Sequence, residues 1–284
     1  MVDAPVTATT LVSEGAGRLA AAGLDQPRRE AGRIWSGITG QAPGAAFLAA
    51  GEPAAAEDAE RFVHAIERRA AGEPLAYVVG SAGFRTLTIG TDRRALIPRP
   101  ETEGLVGLVL ERVPGGRVAD IGTGTGCIAL SLRAEGSYRT VVALDRSADA
   151  LALAAENARR CRLEIQLVHG DLTTPLAGDS LDALVSNPPY LTDEEYAGLD
   201  PAVRAWEPQP ALPSGVDGLD LTARLLDDAR RVVRAGGWIA LEVDCRRAAA
   251  VAERAGQLGW TDVSVARDLF ERERYVLARR RAES

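Results

Sequence analysis

The run Asp120-Ile121-Gly122-Thr123-Gly124-Thr125-Gly126 sits between a β-type segment, Arg117 to Ile121, and an apolar helical pattern reaching about Glu135. Glycine at alternate positions lets the backbone turn tightly and approach a ligand without a Cβ clash. That punctuation predicts a strand, a ligand-facing loop and a helix in succession. The alternation then continues. Thr140 to Leu144 reads as a second strand ending at Asp145, Ala148 to Arg160 as a helix, and Glu164 to Val168 as a third strand. Leu181 to Val185 reads as a fourth strand, Leu219 to Arg234 as a helix closed by Gly236-Gly237, and Trp238 to Val243 as a fifth strand. Thr261 to Ala266 and Arg274 to Ala278 read as a closing antiparallel pair. The predicted class is α/β, with a mostly parallel, doubly wound sheet that binds ligands at the carboxyl ends of its strands.

The first part of the chain has a different texture. Leu11 to Ala22, closed by Gly23, Arg28 to Ile38, and Ala56 to Ala70 are predicted helices; the last carries Phe62, Val63, Ile66 and Ala70 at core-facing spacing. This predicts a small bundle with no catalytic constellation, structural in role or, better, concerned with substrate recognition. From Pro74 the runs Ala76 to Gly80 and Leu87 to Gly90, around Gly83, predict a hairpin linker. It ends in Ala95-Leu96-Ile97-Pro98-Arg99-Pro100-Glu101-Thr102-Glu103, whose prolines exclude helix until about Glu101; Thr102 to Arg112 is the predicted helix beyond. The predicted domains are 1–73, a helical recognition domain; 74–98, a β-hairpin linker; and 99–284, a catalytic domain.

Charge narrows the partners. The chain carries 33 basic residues, all of them arginine, against 40 acidic ones, for a net charge of −7. A sequence-independent nucleic-acid binder needs a basic face to neutralise phosphates, so no direct nucleic-acid binding is expected. Cys127, Cys161 and Cys245 are far apart, and His64 and His169 are the two histidines. Neither a disulfide framework nor a metal site follows from that set. The start, MVDAPVTATT, lacks the basic-then-apolar order of a secretion signal, and no apolar run reaches membrane-spanning length. A soluble, reduced, cytoplasmic protein with no membrane partner is expected.

The glycine spacing is Gly-x-Gly-x-Gly, not the Gly-x-Gly-x-x-Gly of dinucleotide binders. Asp120 beside the turn would repel a pyrophosphate, yet it suits the ammonium group of a methionine moiety. Asp145, about 19 residues beyond Gly126, can accept both ribose hydroxyls. Asp171, after the third strand, is positioned to meet an adenine amino group. Each aspartate could also be a turn or cap residue. Together with Gly122, Thr123, Gly124, Thr125 and Gly126, they describe a pocket for S-adenosyl-L-methionine.

The fourth strand ends in Ser186-Asn187-Pro188-Pro189-Tyr190. Consecutive prolines hold an extended backbone without N–H donors, so their carbonyls are free acceptors. The Asn187 side-chain oxygen and the Pro188 carbonyl can accept both hydrogens of an NH₂ group, and Pro189 and Tyr190 complete the site, the tyrosine ring covering that group. A planar nitrogen with a delocalised lone pair, in an amide, adenine or aniline, can thereby be drawn toward tetrahedral geometry for attack on a sulfonium methyl. No histidine base is required.

The chain resembles the glutamine N5-methyltransferases of peptide release factors, the HemK or PrmC family. The resemblance is carried by Pro27-Arg28, Arg68 through Tyr77, Leu96 through Glu103, Asp120 to Gly126, Asn187 to Tyr190, Val203-Arg204 with Glu207-Pro208, Asp217-Gly218-Leu219 and Gly236-Gly237. It implies a Rossmann-like class I S-adenosylmethionine-dependent methyltransferase acting on a release-factor glutamine. It implies cofactor contacts at Gly122 to Gly126, Asp145, Leu172 and Asn187, with Thr102 in the same pocket, and glutamine contacts along Asn187 to Tyr190. Two places depart from the family pattern. Arg85-Thr86 replaces an aromatic-glycine pair, and Val243 to Ala249 replaces a Gly/Gln-rich stretch. A small arylamine such as 4-amino-phenylalanine is therefore the alternative acceptor. An adenine-N6 methyltransferase and a non-catalytic S-adenosylmethionine binder are further from the residues.

Overall fold

Proline at helix starts and glycine past helix ends set several helix boundaries in the computed structural model, which describes residues 6–42, 44–48, 53–198, 201–208 and 218–282. The chain forms two compact units, 1–82 with 200–206, and 83–199 with 207–284.

Unit 1 opens with α1 (Ala8–Ala21), α2 (Pro27–Thr39), α3 (Ala45–Leu48), α4 (Ala56–Ala70) and α5 (Leu75–Val79). Pro27 occupies the first turn of α2, where its missing N–H has no helical partner to lose. Leu19, Ile34, Trp35, Phe62 and Ile66 form the core, with Trp35 edge-on to Phe62 at 5.5 Å. Val63 is only half-buried, and Ala65 takes a core position beside Phe62 and Ile66. Arg68 makes a two-pronged bond to Glu73 at 2.8 and 2.6 Å, and Arg69 bonds Glu30 and the Glu73 carbonyl. Residues 68–77, prominent in the resemblance, thus tie α4 to α5 and α2. One expectation fails here. Residues 76–80 are not a β run: Pro74 and the left-handed Gly80 bracket the short helix α5.

The boundary between the units falls within β1 (Ser81–Phe84), which pairs with β2 (Leu87–Gly90). The turn is centred on Arg85 with φ 51°, rather than on Gly83. Arg85 is held by its backbone N–H to Glu103 and by a two-pronged bond to Glu135 at 2.7 and 2.6 Å.

Unit 2 continues with α6 (Pro100–Arg112), β3 (Gly115–Ile121), α7 (Cys127–Glu135), β4 (Ser137–Asp145), α8 (Ala148–Cys161), β5 (Gln166–His169), β6 (Leu181–Ser186) and α9 (Asp193–Ala197). After α10 (Pro201–Trp206), which belongs to unit 1, come α11 (Asp220–Val232), β7 (Val233–Glu242), α12 (Ala248–Gln257), β8 (Trp260–Arg267) and β9 (Glu273–Arg280). Helix α6 begins at Pro100, two residues before the expected start, because proline suits the first helical turn. Gly236-Gly237 does not close a helix. The chain passes directly from α11 into β7, where a Cβ on Gly237 would lie 2.9 Å from the Asp182 carbonyl.

Among the described residues, seven strands form one sheet in the order β5-β4-β3-β6-β7-β9-β8. The first five are parallel, and β9 runs antiparallel to β7 and β8. Alternate residues feed two cores. Ile121, Leu144, Leu184 and Leu241 pack with α11 and α12, while Val118, Val141, Val185 and Ala240 pack with α6 and α7. Burial on both faces is what a parallel sheet requires. Strands β3 and β6 are neighbours, so their carboxyl ends bring residues 120–126 and 187–190 to one edge.

Candidate active site

The glycine loop is fastened to the sheet. Gly122 and Thr123 donate backbone bonds to the Leu144 carbonyl at 2.8 and 3.0 Å. Gly126 caps α7 at φ 82°, and a Cβ there would approach the Ala154 Cβ to 3.2 Å. Glycine alone meets both demands cheaply. The Thr125 carbonyl accepts from Asn157 Nδ2 at 2.9 Å.

Asp120, fully buried at the end of β3, accepts from Thr123 Oγ1 at 2.6 Å and the Ala129 N–H at 3.2 Å, both on Oδ2. Its Oδ1 has no partner. Burial pushes this carboxyl up to about 7 against those two bonds, and the Asp145 charge adds to the push. Asp145 ends β4 and accepts from the Gly124 N–H and the Ser147 N–H, both at 2.9 Å. It clamps the loop as well as facing the same edge. Asp171 is paired with Arg224 at 2.6 Å, and Leu172, at φ 47°, packs in the α11–α12 core. The strand-end acid and the loop come together as expected from the sequence; Asp171 acquires a cationic partner that the sequence did not indicate.

Ser186 Oγ donates to the Ile121 carbonyl at 2.6 Å and pins the end of β6 to that of β3. Asn187 follows, half-buried, with Pro188 buried and Pro189 and Tyr190 half-buried. Asn187 Nδ2 donates to Thr102 Oγ1 at 3.1 Å, which leaves Oδ1 as an available acceptor. Burial first, and then the Glu242 charge, raise the Tyr190 phenol, so the ring stays neutral. Beyond it, Thr192 and Glu195 form a reciprocal cap on α9. Arg246 and Arg247, in the segment that departs from the family pattern, both pair with Glu195 at 2.7 and 2.9 Å. That departure thus supplies a latch between the 244–247 turn and α9.

Two functional-edge features lay outside the sequence reading. Arg99 bonds both oxygens of Glu207, whose side chain is 7% exposed, at 2.7 and 2.6 Å, joining two motifs of the resemblance that are 108 positions apart. Glu242 ends β7 almost wholly buried, and its place at a strand end was the signal that could have found it. Asp217 and the side chain of Val203 lie outside the described residues. The Cys127 thiol is pushed up to about 12 by burial and is no nucleophile. His169 Nε2 bonds the Arg146 carbonyl, and His64 is exposed on α4. Among the described residues no acid, cysteine and histidine cluster could hold a metal, and no helix is long and apolar enough to cross a membrane.

Residues 10–80 match the family model "PrmC N-terminal domain", and residues 102–199 match "Methyltransferase small domain". The chain is 40% identical over 273 residues to a release factor glutamine methyltransferase of Deinococcus radiodurans, covering 95% of this chain and 97% of that protein. It is 40% identical over 284 residues to the protein of that name from Moorella thermoacetica, covering 98% of this chain and all of that one. A solved methyltransferase structure from Pyrococcus furiosus superposes with a TM-score of 0.53 at 20% identity, over 68% of this chain and 88% of that one. The fold is that of a class I S-adenosylmethionine-dependent methyltransferase, and the cofactor is S-adenosyl-L-methionine.

Proposed function

The chain belongs to the release factor glutamine methyltransferase family, and on that premise we propose that it methylates the side-chain amide nitrogen of a glutamine in a peptide chain release factor, in the cytoplasm. The observation that carries this reading is the adjacency of β3 and β6, which sets the glycine loop 120–126 beside the Asn-Pro-Pro-Tyr run 187–190. The residues present suit the cofactor. A buried carboxylate oxygen without a partner, Asp120 Oδ1, is a counterpart for its ammonium group, and Asp145 is one for its ribose. When bound, S-adenosylmethionine supplies an electrophilic sulfonium methyl.

The chain's own part is to ready a poor nucleophile. Asn187 Oδ1 and the Pro188 carbonyl accept the two N–H groups of the glutamine amide and draw its nitrogen lone pair out of conjugation. The Tyr190 ring covers the same group and excludes water. Once methylated, the nitrogen is cationic and acidic, so its extra proton leaves without a dedicated base.

Asp145→Ala should weaken cofactor binding by about 1–3 kcal/mol, the scale of lost charged hydrogen bonds. Calorimetric titration with the demethylated product measures it, and an unchanged affinity would remove Asp145 from the ribose assignment.

The helical unit 1 is read as recognising the protein acceptor. Labelled S-adenosylmethionine offered with a release factor, an arylamine or an adenine-containing oligonucleotide tests the acceptor class: label should enter the release factor. Transfer only to the arylamine or to the oligonucleotide would replace that reading. A chain beginning at Gly83, which keeps the buried Phe84 and Ile89 of unit 2, should still bind cofactor but lose transfer to the release factor. Equal transfer by both chains would contradict a recognition role for unit 1.

A further inference from the structure

Glu242 is a carboxylate that the reaction as described does not use. It is 1% exposed and its Oε2 has no partner. In the parallel pairing of β6 with β7, Ser186 stands opposite Leu241, so Asn187 and Glu242 leave the sheet side by side. Thr102, 3% exposed on α6, lies between them. Its hydroxyl accepts from Asn187 Nδ2 at 3.1 Å and stands close enough to the Glu242 carboxylate to favour its ionised form.

We propose that Glu242 is a positioning residue that sets the direction of the hydrogen bonds from Thr102 to Asn187, and with it which end of the Asn187 amide faces the acceptor NH₂. This rests on the acceptor role given above to Asn187. An ionised carboxylate can only accept. Thr102 must then spend its single O–H on Glu242, and its oxygen can only accept from Asn187 Nδ2. Asn187 Oδ1 is left pointing away from Thr102 as an acceptor. A protonated Glu242 can donate instead. Thr102 then turns its O–H to Asn187, whose amide reverses and offers N–H to a substrate group that itself has only N–H to give. The arrangement is a two-state element governed by one proton.

The surroundings bring that proton into range. Burial raises the Glu242 carboxyl to about 7, with Glu101 and Asp268 adding to the rise and the Thr102 bond and the Arg274 cation opposing it. Tyr190, Tyr275 and Cys127, from the segment after β6, from β9 and from α7, also face it, and each is held neutral by burial. Because the raised group is ionised only above about 7, the competent orientation is lost as pH falls through that value.

The Asn187 side-chain amide, labelled with ¹⁵N and assigned by its disappearance in Asn187→Ala, reads the orientation directly in the full-length protein without substrate. Its resonances should titrate with a midpoint near 7 in the wild type and show no such midpoint in Glu242→Gln or Thr102→Val. Single-turnover transfer to the release factor should fall about tenfold per pH unit well below the midpoint. At pH 8 both variants should be slower by about 10- to 100-fold, the scale for outer partners that orient a ligating group, and Glu242→Gln should retain cofactor affinity. Thr102→Ser, which keeps the hydroxyl, should retain more turnover than Thr102→Val. A wild-type amide that does not titrate, or variants that keep the midpoint, overturns the inference whether or not the release factor is the acceptor. Should Glu242→Gln fail to fold, Thr102→Val decides. A wild type that titrates as expected yet transfers nothing to the release factor leaves the inference standing and overturns the acceptor reading.

Discussion

Asn187→Ala should lower single-turnover methyl transfer by about 10²–10³-fold, the scale for losing one preorganised contact aimed at the transition state. The structure explains why so large an effect can come from one amide. Its nitrogen is already committed to Thr102 at 3.1 Å, so its oxygen needs no reorganisation when the acceptor arrives. Ser186, bonded to the Ile121 carbonyl at 2.6 Å, holds the preceding residue on the sheet. Alanine keeps the backbone and the Pro188 carbonyl and removes only the side-chain acceptor. Tyr190→Phe should cost less, because the proposed covering role falls to the ring and not to the hydroxyl. The competing view is that Asn187 merely shapes the strand exit. On that view Asn187→Ala melts at a lower temperature, yet the folded fraction turns over near the normal rate. Thermal melts and single-turnover transfer on one preparation separate the two, and near-normal transfer in a stable variant would remove Asn187 from the catalytic assignment.

What the sequence discloses here follows from how locally each feature is encoded. The loop 120–126 and the run 187–190 could be read because glycine and proline impose backbone constraints that need no distant partner. The placement of Asp120 and Asp145 at strand ends could be read because the strand and loop pattern fixes where each strand stops. The run 76–80 departs from the predicted strand for the converse reason. Leu-Ala-Tyr-Val-Val has strand-like residues, and the punctuation by Pro74 and Gly80 overrode that propensity. Gly236-Gly237 resembles a helix stop but serves close packing of β7 against the Asp182 backbone, a contact made 55 positions away. The Thr102–Asn187 and Arg99–Glu207 bonds span 85 and 108 positions, and nothing in the local pattern announces them. Likewise, α10 belongs to unit 1 although strands β3 to β6 lie between them in the chain. Register and long-range pairing decide such features, and a single sequence carries them only implicitly.

Asp120→Asn should move two properties in opposite directions. The carboxyl is fully buried and raised to about 7 from an ordinary value of 3.8. A carboxylate raised on folding binds its proton more tightly in the native state, so its contribution to stability is complete below about 4 and is lost as pH rises through 7. Across that range the loss is on the order of 4 kcal/mol. Asparagine carries no charge to desolvate. Its oxygen can accept from Thr123 and Ala129 as Oδ2 does now, and the variant without ligand should melt higher than the wild type at pH 8 and show no such advantage at pH 4. Cofactor binding should suffer. The oxygen without a partner is replaced by an NH₂ group that repels the ammonium, and losing a charged hydrogen bond costs about 1.5–3 kcal/mol, or roughly 10- to 150-fold in affinity. Wild-type affinity should itself weaken as pH falls below 7, because the ammonium requires the ionised carboxylate, and binding near pH 7 should release a proton. Calorimetry in buffers of different ionisation enthalpy detects that proton, and its absence in Asp120→Asn completes the comparison. Parallel melting curves for the two proteins across pH 4–8 would show that Asp120 carries no buried charge. An unchanged affinity would show that the ammonium is held elsewhere. Both results together would leave Asp120 as a structural cap of the loop, whereas a more stable and weaker-binding variant identifies a site that keeps an unsatisfied charge for its ligand.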